Sequence, residues 1–187
     1  MRRGAIALLL AAPLAAAELR HDQEGVPAAL SWRARLAPAG EPGSPLVVSG
    51  TVFAPDGRTP AAGVTVYAYH TDATGLYHPN GVSVPPRLRG WMKSDAAGRF
   101  ELRTIRPAPY PSGGVPAHVH FVLFGGGYPR QWTDELVFDD DPSVNRRTRE
   151  HAAAMGGFGM VRPLVRGDDG ILRATVKLRL LTQSNFE

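Results

Sequence analysis

Hydrophobic positions recur with a period of two along much of the chain after residue 46, the spacing that sends alternate side chains to opposite faces of a strand. Residues 46–53 form an apolar, β-branched run that ends at Ala54-Pro55-Asp56-Gly57, where Pro-Asp-Gly is a strong turn signal. Val64, Val66 and Ala68 then alternate with Thr65, Tyr67 and Tyr69, the pattern of a half-buried strand. Asp95-Ala96-Ala97-Gly98 is the next turn, and residues 100–105 alternate again. Residues 118–124, 135–138 and 171–181 predict further strands. A short, peripheral helix is expected over 143–155, after Asp139-Asp140-Asp141-Pro142 and before Gly156-Gly157. Together these segments predict an all-β fold, a β-sandwich of about seven strands with long loops and at most one or two short helices. The long loops run between Tyr69 and Trp91 and between Thr104 and His118. They carry more Pro, Gly, Tyr and His than connection requires, so function is expected on them.

The flanking segments read differently. Residues 18–45 are polar, rich in Pro, Gly and Ala and without periodicity, which predicts an irregular N-terminal arm with little chemistry ahead of a sandwich domain over 46–187. Before the arm, Arg2 and Arg3 precede an apolar stretch over 5–14 and the small-residue exit Ala15-Ala16-Ala17, which reads as a cleavable signal peptide over 1–17. That stretch is too short to span a bilayer, and no other segment approaches the roughly 20 apolar residues a membrane helix needs. The mature protein is therefore expected to be extracytoplasmic, periplasmic or secreted, with no membrane span. The arginine pair leaves both general secretory and twin-arginine export open. The formal charge of +4 comes from dispersed arginines, so nucleic acid is not an expected partner, and the surface is compatible with oligomerisation.

The absence of cysteine excludes disulfides, thiolate zinc sites and iron–sulfur clusters, so any metal must be held by His, Tyr, Asp or Glu. His118-Val119-His120 places two imidazoles on one strand face. A bare H-x-H is a weak signal, since hydrogen-bonded histidine pairs occur without metal. Its companions strengthen it. Asp72-Ala73-Thr74-Gly75-Leu76-Tyr77-His78-Pro79 sets Tyr77 after a strand-ending turn, and Arg106-Pro107-Ala108-Pro109-Tyr110-Pro111 sets Tyr110 in a rigid loop. A phenol ionises at neutral pH only where something strongly stabilises phenolate, as a hard ferric ion does. Two phenolates with two imidazoles suit Fe(3+) better than zinc or copper. The plainer reading stays open at this point: Tyr77 and Tyr110 as half-buried aromatics bonded to carbonyls, in a metal-free binding sandwich of transthyretin-like or carboxypeptidase-regulatory-like type. His21, His70, His78 and His151 carry no comparable signal and are expected to be structural or solvated.

Three runs carry a more specific likeness: residues 66–79, residues 94–111, and Pro116-Ala117-His118-Val119-His120-Phe121. In this order, and continuing through Glu135-Leu136-Val137-Phe138-Asp139-Asp140-Asp141-Pro142, the chain resembles intradiol ring-cleaving dioxygenases, most closely the protocatechuate dioxygenase branch. The resemblance implies a non-haem Fe(3+) with Tyr77 and His118 as equatorial ligands and Tyr110 and His120 as axial ones. It implies a catechol-type substrate, O2 as co-substrate, a muconate-type diacid as product and no organic cofactor, with Tyr110 accepting substrate protons. Two pocket positions depart from the family pattern. The arginine that stands three residues before the first histidine is Val115 here, and a pocket glutamine is Glu135. A positioned group of this kind is worth about 2.7–4 kcal/mol of transition-state stabilisation. Val115 and Glu135 are therefore expected to retune turnover or substrate choice, with Arg87, Arg89 and Arg130 as candidate replacement cations.

Overall fold

The computed structural model describes residues 21–80 and 85–186, so the signal peptide expected over 1–17 lies outside the described residues. The strands are, in chain order, β1 (Arg33–Arg35), β2 (Pro45–Phe53), β3 (Thr65–His70), β4 (Leu88–Lys93), β5 (Arg99–Ile105) and β6 (His118–Gly125). After them come β7 (Tyr128–Trp132), β8 (Leu136–Phe138), helix α1 (Arg146–Ala154), a 3-10 turn at Gly156–Phe158, β9 (Val161–Arg162), β10 (Val165–Arg166) and β11 (Leu172–Arg179). They form two sheets, ordered β1-β5-β2-β11-β10 and β4-β3-β6-β8-β9, with β7 also paired to β6. The all-β sandwich expected from the alternation is what forms.

The core lies between the sheets. Val48 and Val52 of β2, Leu102 of β5 and Val176 and Leu178 of β11 meet Val66 and Ala68 of β3 and Val119, Phe121 and Leu123 of β6. Gly50 interrupts the apolar side of β2 because it sits opposite Phe100: a Cβ there would lie 2.3 Å from the ring. Phe100 uses that space and meets Phe121 of the other sheet edge-on at 6.0 Å. Two aromatic rings thus bridge the layers where a glycine makes room.

Helix α1 is as peripheral as expected and buries no residue. Asn145 caps its N-terminus through a bond from Thr148 N to Oδ1 at 3.0 Å, and Gly156 beyond its end adopts φ +56°.

Three expectations are corrected. The arm is not irregular throughout, since β1 pairs in parallel with β5 and Leu36 and Ala37 are buried. The stretch between Tyr69 and Trp91 is not all loop, since β4 forms within it; Gly90 weakens the strand pattern there because Leu36 Cδ1 packs where its Cβ would stand, at 2.9 Å. Finally, β3 is not half-buried: all six of its residues are buried, because other parts of the chain cover its outer face.

Candidate functional site

The site lies at one end of the outer face of the second sheet, where two loops meet β6. The first loop leaves β3 at Thr71 and turns on Asp72, whose Oδ1 accepts from Thr74 N at 2.8 Å, Thr74 Oγ1 at 2.6 Å and Leu76 N at 3.2 Å. The second loop follows β5 and is bonded to the first: Thr71 Oγ1 donates to Ala108 O at 2.7 Å, and Ala108 N donates to Asp72 O at 3.1 Å. Gly75 (φ +83°) sits so close to this second loop that a Cβ would be 2.1 Å from Pro109 O. Only glycine allows that approach, and it sets Tyr77 beside Tyr110. Arg87 N also donates to Tyr77 O at 3.1 Å, while the Arg87 guanidinium holds Glu41 at 2.6 and 2.7 Å and faces Asp72 at 3.5 Å.

On β6, period-two geometry turns His118 and His120 to the same face, and the chain just before them is fastened. Ala117 N donates to Asp141 Oδ2 at 2.8 Å, and His118 Nδ1 donates to Pro116 O at 2.7 Å. A carbonyl can only accept, so the His118 proton sits on Nδ1 and Nε2 presents its lone pair to the site.

Four side-chain atoms then close a ring. Tyr77 Oη is 2.6 Å from Tyr110 Oη and 2.9 Å from His120 Nε2; His118 Nε2 is 3.1 Å from Tyr110 Oη and 2.9 Å from His120 Nε2. The ring has four contacts but at most three protons, since His118 Nε2 carries none, so at least one contact sets lone pair against lone pair. A cation at the centre removes that conflict. Neighbouring donors at this spacing match atoms touching one ion through bonds of about 2.0–2.2 Å. No group of three or more His, Cys, Asp or Glu among the described residues could hold a metal, so the phenols are indispensable to any such centre.

The electrostatics agree with the donor chemistry. Burial, then the Tyr110 hydroxyl, pushes the Tyr77 phenol far above its ordinary range, so phenolate there requires a strong positive charge. Burial, helped by His118, lowers His120 to about 3, which keeps its ring neutral and able to donate a lone pair. The residues therefore fit a hard, highly charged ion with mixed oxygen and nitrogen donors, as Fe(3+) is.

Of the other sequence candidates, Glu135 adjoins this ring. Glu135 Oε1 lies 3.7 Å from His120 Nδ1, and the carboxylate is half-exposed. Val115 stands exposed on the loop before β6. The candidate cations are engaged elsewhere: Arg87 as above, Arg89 with Pro86 O at 3.3 Å, and Arg130 with Asp22 at 2.7 Å. His70 is structural, bonded to Thr104 Oγ1 and Thr71 O at 2.6 Å each, and His151 pairs with Asp134 at the surface. Sequence reasoning missed Asp72, Gly75 and Asp141 as organisers of the site. Of these, Asp72 and Gly75 were visible as turn residues, whereas nothing local marks Asp141 as the acceptor for Ala117 N.

Comparisons with known proteins accord with this geometry. Residues 28–156 match the model of a family described as Dioxygenase. The chain is 34% identical over 123 residues to catechol 1,2-dioxygenase 1 of Acinetobacter lwoffii, a match covering 56% of this chain and 39% of that protein. It is 31% identical over 115 residues to the protocatechuate 3,4-dioxygenase beta chain of Burkholderia cepacia, covering 55% and 48%. The chain thus spans less than half the length of these two curated relatives. Among solved structures, the dioxygenase domain of a dioxygenase and carbohydrate-binding protein fusion from Streptomyces sp. SirexAA-E superposes with a TM-score of 0.61 at 27% identity, covering 86% of this chain and 96% of that one.

Proposed function

Because the chain belongs to the intradiol dioxygenase family, we propose that it is a ferric-iron enzyme that opens the ring of a catechol-type diol between the two hydroxyls, consuming O2 and releasing a muconate-type diacid. One observation carries the reading: Tyr77, Tyr110, His118 and His120 converge with neighbouring donor atoms 2.6–3.1 Å apart. When bound, ferric iron would stabilise the two phenolates and draw electron density from a chelated catecholate, making its ring reactive toward O2. Tyr77, His118 and His120 serve as holding groups. Tyr110, a partly exposed loop residue whose Oη contacts Tyr77 and His118, would take a substrate proton, the role that the family resemblance implies for it. Catechol-type diols are proposed as the substrate class because both kinds of relative named above act on ortho-diphenols.

The test is metal analysis, a visible spectrum and O2 uptake with a panel of catechols on the purified protein. Stoichiometric iron, a burgundy tyrosinate-to-ferric charge-transfer band and O2 consumption are expected. A colourless, iron-free protein that takes up no O2 overturns the proposal. A coloured protein without uptake would mean that Val115 and Glu135 mark a relative that binds iron and has lost turnover. We further propose that the mature protein works outside the cytoplasm, on the leader read over residues 1–17; N-terminal sequencing of the cell-associated and exported protein checks this, and an intact Met1 in both would refute it.

A further inference from the structure

His21 and Asp22 on the N-terminal side and residues 184–186 on the C-terminal side, the first and last described residues, pack on the outer face of the second sheet, and Arg130 joins them. At the N-terminal end His21 and Asp22 are only 4% and 1% exposed. The Asp22 carboxylate accepts from Arg130 Nε and Nη2 at 2.7 Å each, and its backbone carbonyl accepts from the Trp91 indole at 2.5 Å. At the C-terminal end the Arg130 guanidinium lies 3.5 Å over the Phe186 ring, and Arg130 O accepts from Ser184 Oγ at 2.8 Å. Asn185 brackets the Trp132 backbone with bonds of 2.7 and 3.1 Å. His21, Asp22 and residues 184–186 all lie outside the stretch 28–156 that matches the family model, so this clasp is an addition to the matched pattern.

The clasp leads directly to one donor of the site. His21 Nδ1 is 2.7 Å from Tyr67 Oη, and its ring meets Tyr69 edge-on at 4.8 Å. Tyr69 in turn lies flat on His120, with centroids 4.4 Å apart and planes only 13° from parallel. The two histidine donors are held by different means. His118 is oriented through its Nδ1 bond to Pro116 O, whereas among the described residues His120 Nδ1 has the Glu135 carboxylate at 3.7 Å, beyond hydrogen-bond reach. A ring without a bond at its far nitrogen is free to rotate about χ2 unless a neighbour stops it. The flat face of Tyr69, stacked on the imidazole, opposes that rotation, and the His21 ring packs on Tyr69 from the other side of the contact chain.

We propose that His21 and Asp22 are positioning residues of the metal centre, holding the His120 imidazole in its donor orientation through the Tyr69 ring. The inference rests on His120 being a metal ligand. Groups that orient ligands in this way typically change metal affinity 10–100-fold when removed.

The test uses the full-length protein, with ferric affinity read by chelator competition and the visible band recorded alongside. His21→Ala and Asp22→Ala should each weaken iron binding by about 10–100-fold and shift the charge-transfer maximum, while His21→Phe, which keeps a ring edge against Tyr69, should restore most of both. Parental affinity and an unmoved band in both alanine variants, with native circular dichroism, overturn the proposal. Should either alanine variant fail to fold, Arg130→Lys, which keeps the charge and loses the paired contact, takes its place: weakened affinity with a moved band supports the clasp, and parental values for both remove it. Tyr77→Phe measured in parallel separates the levels: full iron in that variant removes the metal reading itself, whereas its loss beside unaltered clasp variants removes only the clasp.

Discussion

The two sheets share one core and differ on their outer faces. In β11 of the first sheet burial alternates strictly, with Leu172, Ala174, Val176 and Leu178 inside and Arg173, Thr175, Lys177 and Arg179 exposed. In β3 of the second sheet nothing is exposed: Val66 and Ala68 face the core, while Tyr67 and Tyr69 are covered on the outside. Both strands show the same period-two pattern in sequence. The difference is that the outward residues of β11 are charged or hydroxylated and remain in water, whereas those of β3 are tyrosines that other segments pack against. An outward aromatic row on a sandwich therefore indicates a face to be covered, and here the covered face is the one that ends at the donor ring.

The contrast can be broken at several points, beginning with the largest effect. Tyr77→Phe or His120→Ala should abolish stoichiometric iron, checked by metal analysis, because each removes one of four donors. Within the core, Phe121→Ala should cost about 3–5 kcal/mol by denaturant titration, since it leaves a cavity under Phe100, while Thr175→Ala on the solvated face should stay within about 0.5 kcal/mol.

A third break is by pH. Burial lowers His70 to about 4, so the unfolded chain takes up a proton on this ring below about 6.5 and the folded chain only below about 4. Stability from His70 is then complete above pH 6.5 and is lost as the pH falls toward 4. It amounts to roughly 3 kcal/mol, and thermal melts of iron-free protein across that window should show a shallower slope in His70→Gln. Next, Gly75→Ala should cost about 1–3 kcal/mol through the strained φ and the collision with Pro109 O, and should weaken iron binding although residue 75 supplies no donor. The smallest effect belongs to Glu135→Gln. Removing a half-exposed carboxylate beside His120 should lower KM for carboxylated catechols by up to about fivefold and leave that for uncharged catechols unchanged.

Much of the architecture was legible from alternation. The runs read over 46–53, 100–105 and 118–124 correspond to strands Pro45–Phe53, Arg99–Ile105 and His118–Gly125. The strands that escaped notice are short or have a broken pattern: β4 contains Gly90, and β7 begins Tyr128-Pro129 and buries only Gln131. That Tyr77, Tyr110, His118 and His120 would come together was legible because each stands in a local motif. What could not be read was tertiary. Arg87 and Arg130 are chemically suited to face a substrate, yet Glu41 and Asp22, distant in sequence, hold them elsewhere. Likewise His21 lies in a segment without pattern and is placed against Tyr67 and Tyr69, distant in sequence.

The central pairing of the first sheet has a kinetic consequence. β2 and β11 run in parallel over eight register pairs, from Leu46 with Leu172 to Phe53 with Arg179. Strand β2 can find this neighbour only after all the intervening residues and β11 itself have been synthesised, so one long edge of β2 stays unsatisfied while the chain emerges. A topology of this kind makes acquisition of the native state slow, and it makes nascent or C-terminally shortened chains prone to stick to one another through that edge.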